Sequence, residues 1–207
     1  RSGWPVLCML FVCGYLLGSA LPFPVGPTGL GLALLAAAGG VAALVSLCET
    51  RWKRHVKGAA GEIRVARALE RLPAGYVIRH GLPMQALRDI DHVVVGPNGV
   101  FVVETKNWEG PIEVEGGIWT VGGVEGVRSP VDQVARAGEA FMERIQRELG
   151  LSVSVIPLVC LAGARLADGE DGVCTAEAVC SVIFEYKSGS GLESEACERI
   201  SEWLVAP

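Results

Sequence analysis

Hydrophobic residues fill the first part of the chain, whereas apolar and polar positions alternate in the remainder. Two apolar runs, Trp4 to Leu21 and Gly29 to Cys48, are joined by a Pro/Gly-rich connector, and no charged residue occurs from Ser2 to Cys48. Each run has about the 17 to 25 residues that a helix needs to cross a bilayer core. The pattern predicts a two-helix membrane anchor in residues 1–50, with residues 4–48 in contact with lipid.

A group of basic residues follows the second apolar run: Arg51, Lys53, Arg54 and Lys57. Positive residues beside a membrane segment favour the cytoplasmic side. With two spans, both ends lie on that side, which predicts a multi-pass protein of the cell membrane whose soluble domain, residues 51–207, faces the cytoplasm. Alternatively, the first run is a signal peptide cleaved near Ser19 and Ala20, and the second run still anchors the remainder of the chain.

The soluble part begins with a helical pattern. Residues 58–72 predict an amphipathic helix whose apolar stripe is formed by Ile63, Ala66, Leu69 and Leu72. Glu62 belongs at the margin of that stripe, where a carboxylate is unusual unless it is paired or has a function.

Strand patterns come after this helix. Two valine-rich runs around Gly96-Pro97-Asn98-Gly99 predict a β-hairpin, and a second hairpin has its tip at Gly116-Gly117. Ser129 and Pro130 then begin a helix. The segments "VSVIPLVCLAG" and "AVCSVIFEY" predict two strands, and "LESEACERISEWL" predicts a closing helix. This order of elements predicts a mixed α/β domain.

Charge is unevenly distributed in a chain of net charge -5. Residues 51–88 hold nine Lys/Arg against two Glu, whereas residues 89–207 hold eight Lys/Arg against twenty Asp/Glu. A general nucleic-acid coat is therefore excluded, and a phosphate backbone would need a local basic face. Contact of the basic segment with anionic lipid headgroups is an equally good interpretation.

The sequence lacks the motifs of several other kinds of functional site. The seven cysteines form no CxxC and no Cys/His set with zinc spacing, so we interpret them as reduced, buried thiols of a cytoplasmic domain. There is no GxSxG motif for a serine hydrolase. His92 alternates to the face opposite its neighbour Asp91 and is interpreted as a packed histidine. For Trp108 and Trp119, packing within the fold is favoured over stacking on bases.

Acidic residues stand at the open end of the first hairpin. A turn centred between Pro97 and Asn98 places Asp91 opposite Glu104, with Cβ atoms about 4.5–5.5 Å apart. Lys106 points to the same face. Facing carboxylates destabilise a sheet unless something offsets their repulsion, and a divalent cation would do so. A salt bridge from Lys106 to either carboxylate explains the spacing equally well.

The segments "GAAGE", "DIDHVVVGPNGVFVVETKNWEG" and "SPVDQ", together with Trp119, resemble the nuclease-related domain, NERD, over about residues 58–150. NERD is a branch of the PD-(D/E)XK nuclease-like superfamily, and Ile90-Asp91 takes the place of the Pro-Asp pair. The resemblance implies a restriction-endonuclease-like mixed sheet flanked by helices. It also implies a catalytic set: Glu62, Asp91, Glu104, Lys106 and Gln133.

Within that set, the resemblance assigns Mg²⁺ (or Mn²⁺) to Asp91 and Glu104, with Glu62 assisting, and gives Lys106 the attacking water or the developing charge. We therefore expect a membrane-tethered, metal-dependent nuclease that hydrolyses phosphodiester bonds of nucleic acid, with DNA favoured over RNA. The alternative is a catalytically silent nuclease fold that serves as a binding or scaffold module at the membrane. The acidic charge of the domain favours this alternative.

Overall fold

The computed structural model describes residues 27–84, 88–164, 166, 169–187 and 191–206. The chain forms two compact units, with the division between Val56 and Lys57. Helix α1, Pro27–Leu69, contributes residues to both units. The predicted domains, residues 1–50 and 51–207, stay a prediction.

The predicted pair of membrane-spanning helices is not supported. The first run, Trp4 to Leu21, lies outside the described residues, and the second run falls within α1. In the described ranges, no helix has both the length and the apolar character needed to span a bilayer. Glu49 and Lys53 come after the second run within the same helix and form an exposed ion pair of 3.9 Å.

The second unit is built on a five-stranded mixed sheet of order β1-β2-β3-β7-β8. Strands β1 to β3 are antiparallel neighbours, whereas β3, β7 and β8 run parallel to one another. The strands of this five-stranded sheet are β1 (Val77–Leu82), β2 (Ile90–Gly96), β3 (Gly99–Lys106), β7 (Val155–Leu161) and β8 (Val173–Thr175). A separate three-stranded sheet holds β4 (Ile112–Glu115), β5 (Ile118–Val121) and β6 (Val124–Val127).

Helices cover both faces of the larger sheet. They are α2 (Pro130–Leu149), α3 (Val179–Glu185), α4 (Ser194–Val205) and the C-terminal part of α1. Phe141 of α2 and Ile200 of α4 share one core with Val93 and Val102, whereas Val65 of α1 shares the other core with residues such as Phe101. Strands buried on both faces carry continuous apolar runs, as β2 and β3 do. A sheet flanked by helices confirms the mixed α/β prediction and fits a nuclease-like fold.

The first hairpin has the predicted register. Val95 pairs with Val100 and Val93 pairs with Val102, and Gly96 pairs with Gly99 across a two-residue turn. Ser129 caps α2 as expected, because its hydroxyl accepts a hydrogen bond from the Asp132 N–H at 3.2 Å.

The apolar stripe predicted for residues 58–72 is wrong in its details. Ile63 is 53% exposed, and the buried residues of this part of α1 are Gly61, Val65, Ala68 and Leu69. An α-helix turns by about 100° per residue, so positions spaced by three drift round the helix, and Leu72 lies beyond the end of α1 at Leu69. Spacings of four and three keep the buried residues on one face.

The strand predicted in "AVCSVIFEY" is also wrong, because this segment forms helix α3. Val179 and Ile183 are buried one turn apart, whereas Phe184 is 60% exposed. A short apolar run fits a buried strand and a buried helix equally well by periodicity.

The prediction that the cysteines are buried holds for part of the set. All five described cysteines are free thiols; Cys160 and Cys174 are buried, Cys180 and Cys197 are intermediate, and Cys48 is exposed.

Candidate functional site

Two strand ends and one helix bring the predicted site residues together. Asp91 lies at the start of β2, while Glu104 and Lys106 lie at the end of β3, so the antiparallel pairing places them at one edge of the sheet. Gln133 lies in the first turn and a half of α2, which packs against β3 and β7. The hairpin register, continued by one pair beyond His92 and Val103, sets Asp91 opposite Glu104.

Glu104, Lys106 and Gln133 form a closed triangle of hydrogen bonds. Lys106 Nζ donates to Glu104 Oε1 at 2.6 Å and to Gln133 Oε1 at 3.0 Å, and Gln133 Nε2 donates to Glu104 Oε1 at 2.7 Å. The ion pair is largely shielded, since the side chains of Lys106 and Glu104 are 16% and 12% exposed. The salt-bridge interpretation of the spacing is thus realised with Glu104 as the partner.

Asp91 is half-buried and held by the facing strand. Its Oδ2 accepts a hydrogen bond from the Thr105 N–H at 2.7 Å. Burial is the main cause that raises the pKa of Asp91 from 3.8 to about 7, and the negative charge of Glu104 raises it further. The Thr105 N–H and the Lys106 charge act in the opposite direction. The facing carboxylates therefore repel each other, as the strand register predicts.

Glu62 approaches this group from α1. Its side chain is exposed rather than at a buried margin, and its negative charge contributes to the raised pKa of Asp91. Within the described ranges, no three His, Cys, Asp or Glu side chains come together closely enough to hold a metal ion. The metal roles predicted for Asp91, Glu104 and Glu62 stay predictions.

Gly61 explains how α1 reaches the end of β3. A Cβ added to Gly61 would lie 2.6 Å from the Asn107 Cβ, closer than such atoms approach. Asn107 also donates a hydrogen bond from Nδ2 to the Lys57 carbonyl at 2.7 Å. The absence of a side chain at Gly61 thus allows this contact and sets Glu62 beside the strand ends.

A histidine pair supports Asp91 from the other face of the hairpin. His92 is 2% exposed, as expected of a packed histidine, and its Nδ1 lies 2.8 Å from the Nδ1 of His80. Its Nε2 lies 3.2 Å from the hydroxyl of Thr105, whose N–H binds Asp91. Burial, and then the nearby His80, lower the pKa of His92 from 6.5 to about 4. His92 is therefore neutral near pH 7.

A cleft of about 670 Å³ opens beside the triangle, and Glu104, Lys106 and Gln133 line it. Its other lining residues include Trp108, Asp89 and three arginines, namely Arg88, Arg128 and Arg136. The charge pattern of the sequence indicates that a phosphate backbone would need a local basic face, and it does not locate one. The only available signal was helical spacing, which sets Arg136 one turn from Gln133 on α2.

Comparisons with known proteins identify a family for this chain. The family description that matches is the nuclease-related domain, NERD, over residues 57–162, which is half of the chain. An uncharacterized protein of Bacillus anthracis is 46% identical over 66 residues, which cover 28% of this chain and 31% of that protein. The match thus spans less than a third of the relative's length. No solved structure matches the chain. The chain belongs to the nuclease-related domain family.

Proposed function

We propose that this protein is a metal-dependent nuclease that hydrolyses phosphodiester bonds of nucleic acid, with DNA as the favoured substrate. The observation that carries the proposal is the juxtaposition of Asp91 with Glu104 and Lys106, of which the latter two line a cleft that also holds three arginines. Carboxylates, an amine and a basic cleft are the groups that phosphodiester hydrolysis requires.

The chemistry of the donors fits a hard divalent cation such as Mg²⁺ or Mn²⁺. Asp91 and Glu104 supply oxygen ligands, and such ions accept one or two carboxylates and fill the remaining positions with water and substrate phosphate. Burial and then the charge of Glu104 raise the pKa of Asp91, and a bound cation would relieve the repulsion between the two carboxylates. Glu62, which is exposed and acts on Asp91 through its charge, would hold a water of the ion. When bound, the ion would lower the pKa of a water and offset negative charge on the phosphate.

The protein's own residues have separate roles in this proposal. Lys106 presents its ammonium group in the cleft, where it orients the attacking water or binds the scissile phosphate. Gln133 positions Lys106 and Glu104, because it hydrogen-bonds to both. Thr105 fixes the orientation of Asp91 through its N–H. Preorganised groups of this kind stabilise charge that develops in a transition state.

A silent scaffold is the second candidate, and one observation favours it. The Lys106 ammonium group already lies 2.6 Å from Glu104, so the ion pair is satisfied without any ligand. A purely structural pair would need no cation and no substrate. In that case Asp91 would keep its raised pKa in the presence of Mg²⁺.

We also propose that residues 4–48 tether the chain to the cell membrane, with the remainder in the cytoplasm. The support is the charge-free sequence from Ser2 to Cys48 and the basic residues that come after it. Fractionation of cells that express the full chain tests this. Recovery in the membrane pellet after a carbonate wash is expected, and recovery in the soluble fraction would refute the tether.

A cleavage assay tests the nuclease. The full chain, kept in mild detergent, would be incubated with labelled single- and double-stranded DNA and RNA in Mg²⁺, Mn²⁺ or EDTA. We expect metal-dependent cutting that is lost in Lys106→Ala and in Asp91→Asn. Lys187→Ala is the matched control, because Lys187 is exposed and lies with Gly99 at the opposite end of β3.

The outcomes of this assay separate the two candidates. Metal-dependent cutting by the parent and by Lys187→Ala, absent from the two site variants, would establish the nuclease. No cutting of any substrate with any of these metals, by a protein whose thermal unfolding is cooperative, would leave the silent scaffold.

A further inference from the structure

We propose that the cleft beside Lys106 binds an unpaired segment of nucleic acid, with a base stacked on Trp108 and phosphates bound by Arg88, Arg128 and Arg136. This inference rests on the proposed function and names the form of its substrate. The occupant is a single-stranded end, flap or loop rather than an intact duplex.

The charge inside the cleft is opposite to that of the chain. Four cationic side chains line it against two carboxylates, those of Asp89 and Glu104, whereas the chain carries a net charge of -5. The three arginines come from separate segments: one precedes β2, one precedes α2 and one lies within α2. Their convergence on one cleft makes the local basic face that a phosphate backbone requires.

The arginines are available to a ligand. Each of the three is exposed, and in the part of the chain that the structure describes none of them forms an ion pair. Other arginines of the same domain are engaged: Arg144 binds Glu148, and Arg64 donates to the Ala162 carbonyl. The guanidinium group matches phosphate oxygens in a two-pronged geometry, which suits Arg better than Lys to this role.

Trp108 provides an aromatic surface at the same place. Its side chain is half-buried and lines the cleft, and its ring packs against that of Trp119 with centroids 6.0 Å apart. Trp119 is 2% exposed, so Trp108 rests on a fixed part of the core. A held aromatic ring beside cationic groups is the arrangement with which proteins bind single strands.

The size of the cleft and the stacking chemistry both favour an unpaired strand. A cleft of about 670 Å³ has the volume of a small-molecule site, which suits one or a few unpaired nucleotides. The faces of bases within a duplex are covered by their neighbours, so a tryptophan can stack only on a base that has left the stack. Lys106 and Glu104 line the same cleft, which places the bound strand at the proposed catalytic groups.

Binding measured in EDTA separates this inference from the proposed function. Fluorescence anisotropy would measure how tightly the full chain, kept in mild detergent, binds short labelled DNA and RNA. Each single strand would be compared with a matched duplex. We expect single strands to bind at least about 10-fold more tightly than duplexes. Trp108→Leu should weaken the binding about 5- to 150-fold, which is the value of one base stack, while Trp108→Phe retains most of it.

The salt dependence of binding tests the arginines separately. Arg128→Gln and Arg136→Gln should each weaken binding and reduce the slope of log affinity against log salt by roughly 0.7, the contribution of one single-strand phosphate contact. Arg147→Gln is the matched control, because Arg147 lies on the same helix as Arg136, about 16 Å further along. The slope of log affinity against log salt for Arg147→Gln should equal that of the parent protein.

Four results would decide the matter. Equal affinity for duplex and single strand, or unchanged binding in Trp108→Leu, would overturn the inference even if the protein cuts nucleic acid. No binding of single strands at low salt by the folded parent would overturn it as well. Selective single-strand binding without cleavage in any metal would support the inference and refute the nuclease.

Discussion

The Thr105 N–H donates a hydrogen bond of 2.7 Å to Asp91, and it reaches only one carboxylate oxygen, Oδ2. The bond comes from the backbone of β3, so the orientation of Asp91 is set by strand pairing rather than by a ligand. A single backbone donor does not offset the burial and the facing charge of Glu104, and the pKa of Asp91 stays near 7. The carboxylate that is proposed to bind metal is therefore a source of instability in the metal-free protein.

We predict that Asp91→Asn stabilises the metal-free protein at pH 8. The folded pKa of about 7 lies above the unfolded value of 3.8, so the folded chain binds this proton more tightly. The associated stability is present below pH 3.8 and is lost as the pH rises towards 7. The neutral amide avoids that loss and still accepts the Thr105 bond, so the free energy of unfolding should rise by about 1 to 3 kcal/mol.

Urea denaturation of both proteins in EDTA, monitored by tryptophan fluorescence, checks this prediction. The difference between them should disappear at pH 4, where Asp91 is protonated in the parent. Added Mg²⁺ should stabilise the parent and not the variant. A variant that is less stable than the parent at pH 8 would mean that the charge of Asp91 is already compensated.

His92 predicts an opposite dependence on pH. Its folded pKa of about 4 lies below the unfolded value of 6.5, so the folded chain binds this proton less tightly. The contribution of His92 is complete above pH 6.5 and is lost as the pH falls towards 4. In the parent protein, the titration of Asp91 lowers the free energy of unfolding as the pH rises over the same range, which opposes the effect of His92.

The effect of His92 on stability can be measured separately in the Asp91→Asn variant, in which residue 91 no longer titrates. There, we expect the free energy of unfolding to increase from pH 4 to pH 6.5 and then to level off. The control is the double variant with His92→Gln, in which the increase should be much smaller. Equal slopes in the two proteins would show that His92 is not the titrating group.

Gln133→Leu should reduce catalysis more than it reduces stability. The variant removes two hydrogen bonds, to Lys106 and to Glu104, and leaves the ion pair between those residues in place. We expect a loss of about 1 to 2 kcal/mol in the free energy of unfolding and a fall of about 10- to 100-fold in cleavage rate, as for other residues that orient metal ligands. Asp132→Asn is the neighbouring control, since Asp132 is exposed on the same turn of α2. An unchanged cleavage rate in Gln133→Leu would remove Gln133 from the site.

The hairpin and its register could be predicted because both depend on local chemistry. The turn at Gly96 to Gly99 fixes which residues face each other, and that pairing alone sets Asp91 against Glu104. The cap at Ser129 is local in the same sense. These features account for most of what could be predicted of the candidate site.

The features that could not be predicted depend on tertiary contacts. Helix α1 buries the face that carries Val65 and Leu69, which pack against the sheet, whereas the apolar residues of 58–72 fit more than one stripe. Helix α3 differs from the predicted strand because Val179 and Ile183 are buried in a core with residues distant in sequence, such as Phe101. The arginines of the cleft lie on segments up to 48 residues apart and meet only in the folded chain.

A pair of glycines in α1 offers the most controlled test of the site's architecture. Both Gly61→Ala and Gly58→Ala add one methyl group to the same helix. At Gly61 the methyl would lie 2.6 Å from the Asn107 Cβ, whereas nothing lies within 4 Å at Gly58. Helix propensity alone favours alanine at both positions by up to about 1 kcal/mol.

We therefore predict opposite signs for the two variants. Gly58→Ala should leave the protein equally or more stable, and Gly61→Ala should destabilise it by about 1 to 3 kcal/mol, because the helix must move away from β3. That movement carries Glu62 away from Asp91, so cleavage should fall in Gly61→Ala even where the protein is fully folded. Urea denaturation and the cleavage assay together check both effects. If Gly61→Ala matched Gly58→Ala in both measurements, the close approach of α1 to Asn107 would not be what positions Glu62.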